Sequence, residues 1–250
     1  MKSIMMLTIS LFIGFGSLAV SAEYVPSGTI SLTLGDKNWS PVLGSVRDEA
    51  YAFGDVWINL PKQTAAQVSY WVGLNDSDPD SDKNDEFDIA FWKSFQIGDS
   101  GYLKLRLKYF NIFPVSDLNR SDFMAYDIFV GQKIHVSRST LVPEIRAEYW
   151  HYLSGLSDGM FTIMPGVTHS IPIGKVVAYQ RLGLQWNEKL APFGQLLSAQ
   201  ASIGVKTKVG QWSWTIIDAS GSLPLESVAE GDPRDQHGVI AYTTTVSWSF

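Results

Sequence analysis

Apolar and polar residues alternate along most of the chain at a period of two, the spacing of a strand that shows one face to an apolar medium. The stretch Tyr102-Leu103-Lys104-Leu105-Arg106-Leu107-Lys108-Tyr109 puts Leu on one face and Lys or Arg on the other. A helix would scatter those charges around its circumference. Val68, Tyr70, Val72 and Leu74 alternate with Ser69, Trp71 and Gly73, and Ile145, Ala147 and Tyr149 with Glu144, Arg146 and Glu148. Reading each such run as a strand predicts twelve, at about 27–35, 48–60, 64–75, 84–97, 100–113, 121–134, 139–153, 158–171, 174–188, 194–208, 210–222 and 236–250. Links after the even strands are tight: Pro61-Lys62-Gln63, Gly98-Asp99-Ser100, Ser137-Arg138, Pro172-Ile173-Gly174 and Val209-Gly210. Links after the odd strands, at 36–47, 76–83, 114–120, 154–157, 189–193 and 223–235, are longer and polar.

Turns at one end and loops at the other are the expected pattern of a transmembrane, antiparallel, up-and-down β-barrel, with short periplasmic turns and longer external loops. A bilayer offers no water to backbone amides, so a sheet inside it must close on itself and lose its edges. Strands of about 9–11 tilted residues suffice to cross. A soluble barrel would alternate too, but its outer face would be polar, whereas one face here is mostly Leu, Val, Ile, Tyr and Trp. The N-terminus reads as a removable leader over residues 1–22, with Lys2 ahead of an apolar core from Ile4 to Phe15 and small residues at Val20-Ser21-Ala22. Residues 23–250 are then one barrel domain, with no linker or low-complexity tract.

Composition narrows the chemistry. The chain has no Cys, which excludes disulfides, thiolate metal sites and cysteine nucleophiles. Its net charge of −6 is the wrong sign for a nucleic-acid partner. The chain ends Tyr242-Thr243-Thr244-Thr245-Val246-Ser247-Trp248-Ser249-Phe250, with Tyr242, Val246, Trp248 and Phe250 on one face. Here it resembles Gram-negative outer-membrane proteins, whose last strand ends in Phe and carries alternate apolar or aromatic residues. The resemblance implies an outer-membrane location, lipid and lipopolysaccharide as surroundings, and recognition of this last strand by the barrel-assembly machinery. In size and strand number the chain looks like the small twelve-stranded porins and channels.

A charged side chain facing lipid at mid-depth costs about 2–4 kcal/mol, so the in-phase charges belong inside. Lys104, Arg106, Lys108, Lys133, Arg146, Arg181 and Lys206 are the expected positive lining, and Asp55, Asp88, Asp127, Glu144 and Glu148 the negative. They are expected either to line opposed walls of a wet pore and set up a transverse field, or to pair across the lumen and close it. Trp57, Tyr70, Trp92, Tyr109, Trp186, Trp212, Trp214 and Trp248 supply candidates for interfacial girdles, although Trp71, Trp92 and Trp150 fall in phase with the polar residues. The expected activity is that of a monomeric channel for passive diffusion of small polar solutes, with no cofactor, no metal and no catalytic residue.

Other features weigh less. Asp76, Asp78, Asp80 and Asp82 begin like a calcium loop, but Ser81 stands where Gly is required and Phe87 where the closing Glu belongs, so a solvated external loop is expected. His135-Val136-Ser137 resembles the His-x-Ser pair of outer-membrane lipid hydrolases, with Glu144 or Glu148 as a third member. Arg138 stands where those families carry Asn, and the pair falls beside a periplasmic turn. The alternatives kept beside the channel are thus this hydrolase and a non-conducting barrel whose external loops bind a partner or support membrane integrity.

Overall fold

The computed structural model describes residues 26–39, 46–47, 50–74, 86–112, 122–153, 159–188, 196–225 and 239–250. Twelve strands form the wall: β1 (Ser27–Gly35), β2 (Tyr51–Leu60), β3 (Thr64–Gly73), β4 (Glu86–Ile97), β5 (Gly101–Ile112), β6 (Phe123–Gln132), β7 (Ser139–Tyr152), β8 (Met160–Ile173), β9 (Val176–Glu188), β10 (Leu196–Val209), β11 (Trp212–Pro224) and β12 (Val239–Ser249). After a break at Lys133, β6 resumes over Ile134–Val136 against the start of β7. A two-residue ribbon pairs Asn38–Trp39 with Val46–Arg47. None of the described residues is helical.

Each strand pairs antiparallel with its neighbours in sequence, and β12 returns to pair with β1, from Thr29 opposite Ser249 to Gly35 opposite Thr243. Backbone bonds between Gly28 and Phe250, in both directions, tie the end of the last strand to the start of the first. The sheet therefore has no free edge, as the alternation and the even strand count predict. Strands of 9 to 14 residues meet the about 9–11 that a tilted transmembrane strand needs. The all-β, closed, up-and-down barrel expected from sequence is the observed architecture.

The exterior is what a water-soluble protein would hide. Ile30, Leu32, Leu34, Val56, Ile58, Val68, Tyr70, Leu105, Ile128, Ile145, Leu182, Leu184, Ile203, Ile240 and Val246 are all exposed. The interior is polar by contrast: Ser69, Asp88, Asp127, Glu148, Thr162, Gln185, Asn187 and Ser198 are buried. One apolar cluster sits inside, where Phe110, Phe123 and Trp150 stack with ring centroids 4.3 Å apart at each step and Met160 and Met164 pack beside them.

Three details depart from the expected pattern. The turn expected at Pro172-Ile173-Gly174 falls at Gly174-Lys175, because Gly174 is the residue at φ 62° while Pro172 and Ile173 remain in β8 opposite Val177 and Val176. Trp57, expected in an outer girdle, points inward, since it lies in register with Thr29 and Gln67 of the inner face. In β11 the register with both neighbours shifts around Ile216 and Ile217. This bulge turns two consecutive isoleucines outward and reverses the phase of the strand, so Trp212 and Trp214 face out on one side of it and Asp218, Ser220 and Ser222 face in on the other. The leader at 1–22 and the acidic run at 76–85 lie outside the described residues.

Candidate functional site

The lumen is the candidate site, and its chemistry is concentrated on one wall. Register lines up Trp92, Arg106, Asp127 and Glu148 as one rung across β4 to β7, because each is opposite the next. The neighbouring rung toward the turns carries Lys104, Phe129 and Arg146, and the one toward the loops carries Lys108, Ala125 and Trp150. Since a pleated strand sends every second side chain inward, these groups meet in one patch.

Within that patch Asp127 is shared. Arg106 Nε donates to Asp127 Oδ2 at 2.6 Å and Arg146 Nε to Oδ1 at 2.7 Å. Arg146 Nη2 also donates to Glu148 Oε2 at 2.8 Å, and Arg106 Nη2 lies 3.6 Å from Glu148 Oε1. Two guanidiniums and two carboxylates thus cancel locally. The carboxylates are sealed, with side-chain exposures of 0% and 1%, while Arg106 and Arg146 keep 13% and 19%. Lys108 Nζ sits 2.6 Å from Asp88 Oδ2, which also accepts from Ser69 Oγ at 3.3 Å. The Arg106 guanidinium lies 5.0 Å from the Trp92 ring centre and 5.7 Å from that of Phe129, and Arg146 lies 5.2 Å from Phe129. Trp57, Trp92 and Phe129 form an aromatic shelf with successive centroids 5.3 and 5.5 Å apart. The Trp92 indole donates to Gln67, and Gln67 donates to Asp55.

The expectation that opposite charges stand on opposed walls is therefore corrected. Register brings both signs onto adjacent strands, so Arg106, Lys108 and Arg146 are neutralised within their own wall. Lys104, Arg181 and Lys206, also on the inner face, have no carboxylate within ion-pair distance among the described residues. Asp55, Glu144 and Asp218 are held by neutral donors. Lys133 is exposed at the break in β6, at the mouth on the turn side rather than along the wall.

Glu144 and Asp218 are held by the same device, which the sequence reading missed. Tyr102 of β5 lies flat across Gly131 of β6, and its hydroxyl donates to Glu144 Oε2 of β7 at 2.6 Å. Tyr179 of β9 lies across Gly204 of β10 and donates to Asp218 of β11. A Cβ at either glycine would come within 2.4 Å of the tyrosine hydroxyl, so the close approach requires glycine. Lys104 and Lys206 stand over the two rings at 4.7 and 5.5 Å. Opposite the charged wall, β10 to β12 and β1 present Ser202, Ser220, Ser222, Thr243, Thr245 and Thr33, with Thr33 and Thr245 bonded at 2.8 Å.

Similar solved structures share this architecture. The β domain of the Bordetella autotransporter BrkA matches with a TM-score of 0.57 at 12% identity, over 90% of this chain and 100% of that one. The NanC porin matches at 0.57 and 9%, covering 88% and 98%, and the KdgM porin at 0.56 and 6%, covering 89% and 99%. The chain shares the closed twelve-stranded barrel fold of these outer-membrane proteins. No protein-family model and no curated protein sequence matches it.

The remaining features of the barrel are placed as follows. A groove of about 790 Å³ lies on the outer face, lined by Pro165, Val167, Leu182, Leu184, Leu223 and Ile240, and is no part of a solute path. His135 Nδ1 is 3.3 Å from Thr140 Oγ1, and Ser137 occupies a turn position at φ 54°. Glu144 and Glu148 are engaged by Tyr102 and Arg146, so no His-Ser-Glu constellation forms. Among the described residues no group of three His, Asp or Glu is arranged to hold a metal. Tyr242, Val246, Trp248 and Phe250 all face outward on β12, with Trp248 and Phe250 5.4 Å apart.

Proposed function

We propose that this barrel is a monomeric channel for passive diffusion of small hydrophilic solutes across the outer membrane, surrounded by lipid and lipopolysaccharide and inserted by the barrel-assembly machinery through its last strand. One observation carries the reading: Arg181 and Lys206 face the lumen and are nevertheless exposed, so water reaches the inside of the wall. The solute passes between the hydroxyl wall of β10 to β1 and the ion-paired wall of β4 to β7. Charge discrimination is weak, because the inner-face cations without a carboxylate partner among the described residues (Lys104, Arg181, Lys206 and, at the turn-side mouth, Lys208) stand against three carboxylates held only by neutral donors (Asp55, Glu144, Asp218). The names of the NanC and KdgM porins favour this reading, while the autotransporter domain shows that the fold serves other ends.

The stack of Phe110, Phe123 and Trp150 favours a second reading, in which the loop-end half of the lumen is filled and the loops do the work. Refolded protein in a planar bilayer separates the two. Discrete conductance steps with a reversal potential near zero in a salt gradient are expected of the channel. Silent bilayers holding correctly folded protein overturn it in favour of the non-conducting barrel.

A further inference from the structure

The turn end of the barrel carries a ring of cations that the lumen does not use. Lys62, Arg138 and Lys175 sit in three of the five tight turns and are exposed, and Asp99 is the one acidic residue in those turns. Lys93 is on the lipid-facing side of β4, in register with Thr64 and Leu105. Its stem passes the Phe95 ring, 5.3 Å from the ammonium, and its ammonium donates to the Lys62 carbonyl in the turn. A lysine on this face is tolerable only where it can reach the headgroup layer, so its bond to the turn marks the edge of the hydrocarbon. Phe95, Trp212, Trp214 and Phe250 are exposed at the same end, as an interfacial girdle would be. None of the four cations has a carboxylate within ion-pair distance among the described residues.

We infer that Lys62, Lys93, Arg138 and Lys175 form a docking rim for the phosphates of anionic phospholipids in the periplasmic leaflet. The girdle places these cations level with lipid phosphates, and their unpaired charge is complementary to them. Neighbouring turns spread the cations around half the circumference, so each engages a separate headgroup. The inference stands whether or not the barrel conducts.

The test uses the full barrel carrying Phe95→Trp beside Lys93, refolded into phosphatidylcholine vesicles containing phosphatidylglycerol, and reads the quenching of the added indole by brominated forms of either lipid as the difference from the barrel without it. At about 50 mM salt, brominated phosphatidylglycerol should compete for the annulus roughly five-fold better per site than brominated phosphatidylcholine. The preference should vanish at 1 M salt, where the screening length falls to about 3 Å. The variant K62Q/K93Q/R138Q/K175Q should lose it while keeping the heat-modifiable gel mobility of a closed barrel. If that variant does not fold, Lys62→Glu with Lys175→Glu, both in exposed turns, should weaken the preference at least two-fold. Equal quenching by both lipids, a preference that survives the substitutions, or salt-insensitive quenching overturns the inference. Binding to cell-wall sacculi through the same four side chains, without lipid preference, would reassign the rim and overturn it too.

Discussion

Replacing Asp127 with Ala removes the one carboxylate that both guanidiniums share. Arg106 then keeps only Glu148 at 3.6 Å, Arg146 keeps its 2.8 Å bond to Glu148, and two positive charges face one negative where the sum had been zero. Breaking a buried ion pair from one side costs about 3–5 kcal/mol. Because Arg106 and Arg146 retain 13% and 19% exposure, water relieves part of that, and the low end, about 3 kcal/mol, is expected. With a urea slope of about 2 kcal/mol per molar, the unfolding midpoint should fall by roughly 1.5 M. Equilibrium unfolding in detergent micelles, followed by tryptophan fluorescence, measures it. Arg106→Met in the Asp127→Ala background should recover part of the loss, because the two residues act as one unit. A fall below about 0.5 M, or strict additivity of the two substitutions, would refute the reasoning. Either would mean that water screens the cluster as it screens a surface pair worth about 0–1 kcal/mol.

Other expectations follow from the same geometry. Gly131→Ala should destabilise by about 1–3 kcal/mol, because its Cβ meets the Tyr102 ring, and Tyr102→Ser in the same chain should restore much of the urea midpoint. If the barrel conducts, Arg181→Gln with Lys206→Gln should move the reversal potential in a potassium chloride gradient toward cation selectivity, with the unfolding midpoint shifting by less than about 0.25 M. Neutralising Arg106 should cost stability first. Ser137→Ala should leave any lipid release by the purified barrel unchanged; its abolition would revive the hydrolase. Phe250→Ala should slow assembly into the outer membrane in cells, scored by the fraction of heat-modifiable protein, since the Phe250 ring packs over Gly28 at the β12–β1 seam.

The architecture was legible because a lipid-facing strand has little choice: Leu103, Leu105 and Leu107 declare one side and Lys104, Arg106 and Lys108 the other. The lumen was legible as a set of inward charges but not as pairs. Whether Arg106 meets Asp127 or crosses to a far strand is decided by register between strands about twenty residues apart, which periodicity within one strand does not carry. Phe129 was missed because Ile128-Phe129-Val130 is apolar throughout and shows no face. Trp57 was misplaced because it was grouped with the girdle by residue type, whereas its phase, two residues from the inward Asp55, already turns it to the lumen. The tyrosine clasps need three strands at once, a tyrosine, a glycine and an acid, and no one segment contains the signal.

The irregularity at Ile216 and Ile217 reconciles two demands that an unbroken β11 could not meet together. Counting by twos from Trp212 and Trp214 would carry Asp218 to the hydrocarbon side, where a carboxylate is destabilising. Counting back from Asp218 would instead tuck both indoles inside. One surplus residue shifts the reading frame between them, so the strand joins the aromatic belt of Trp248 and Phe250 at one end and supplies the anchor for Tyr179 at the other.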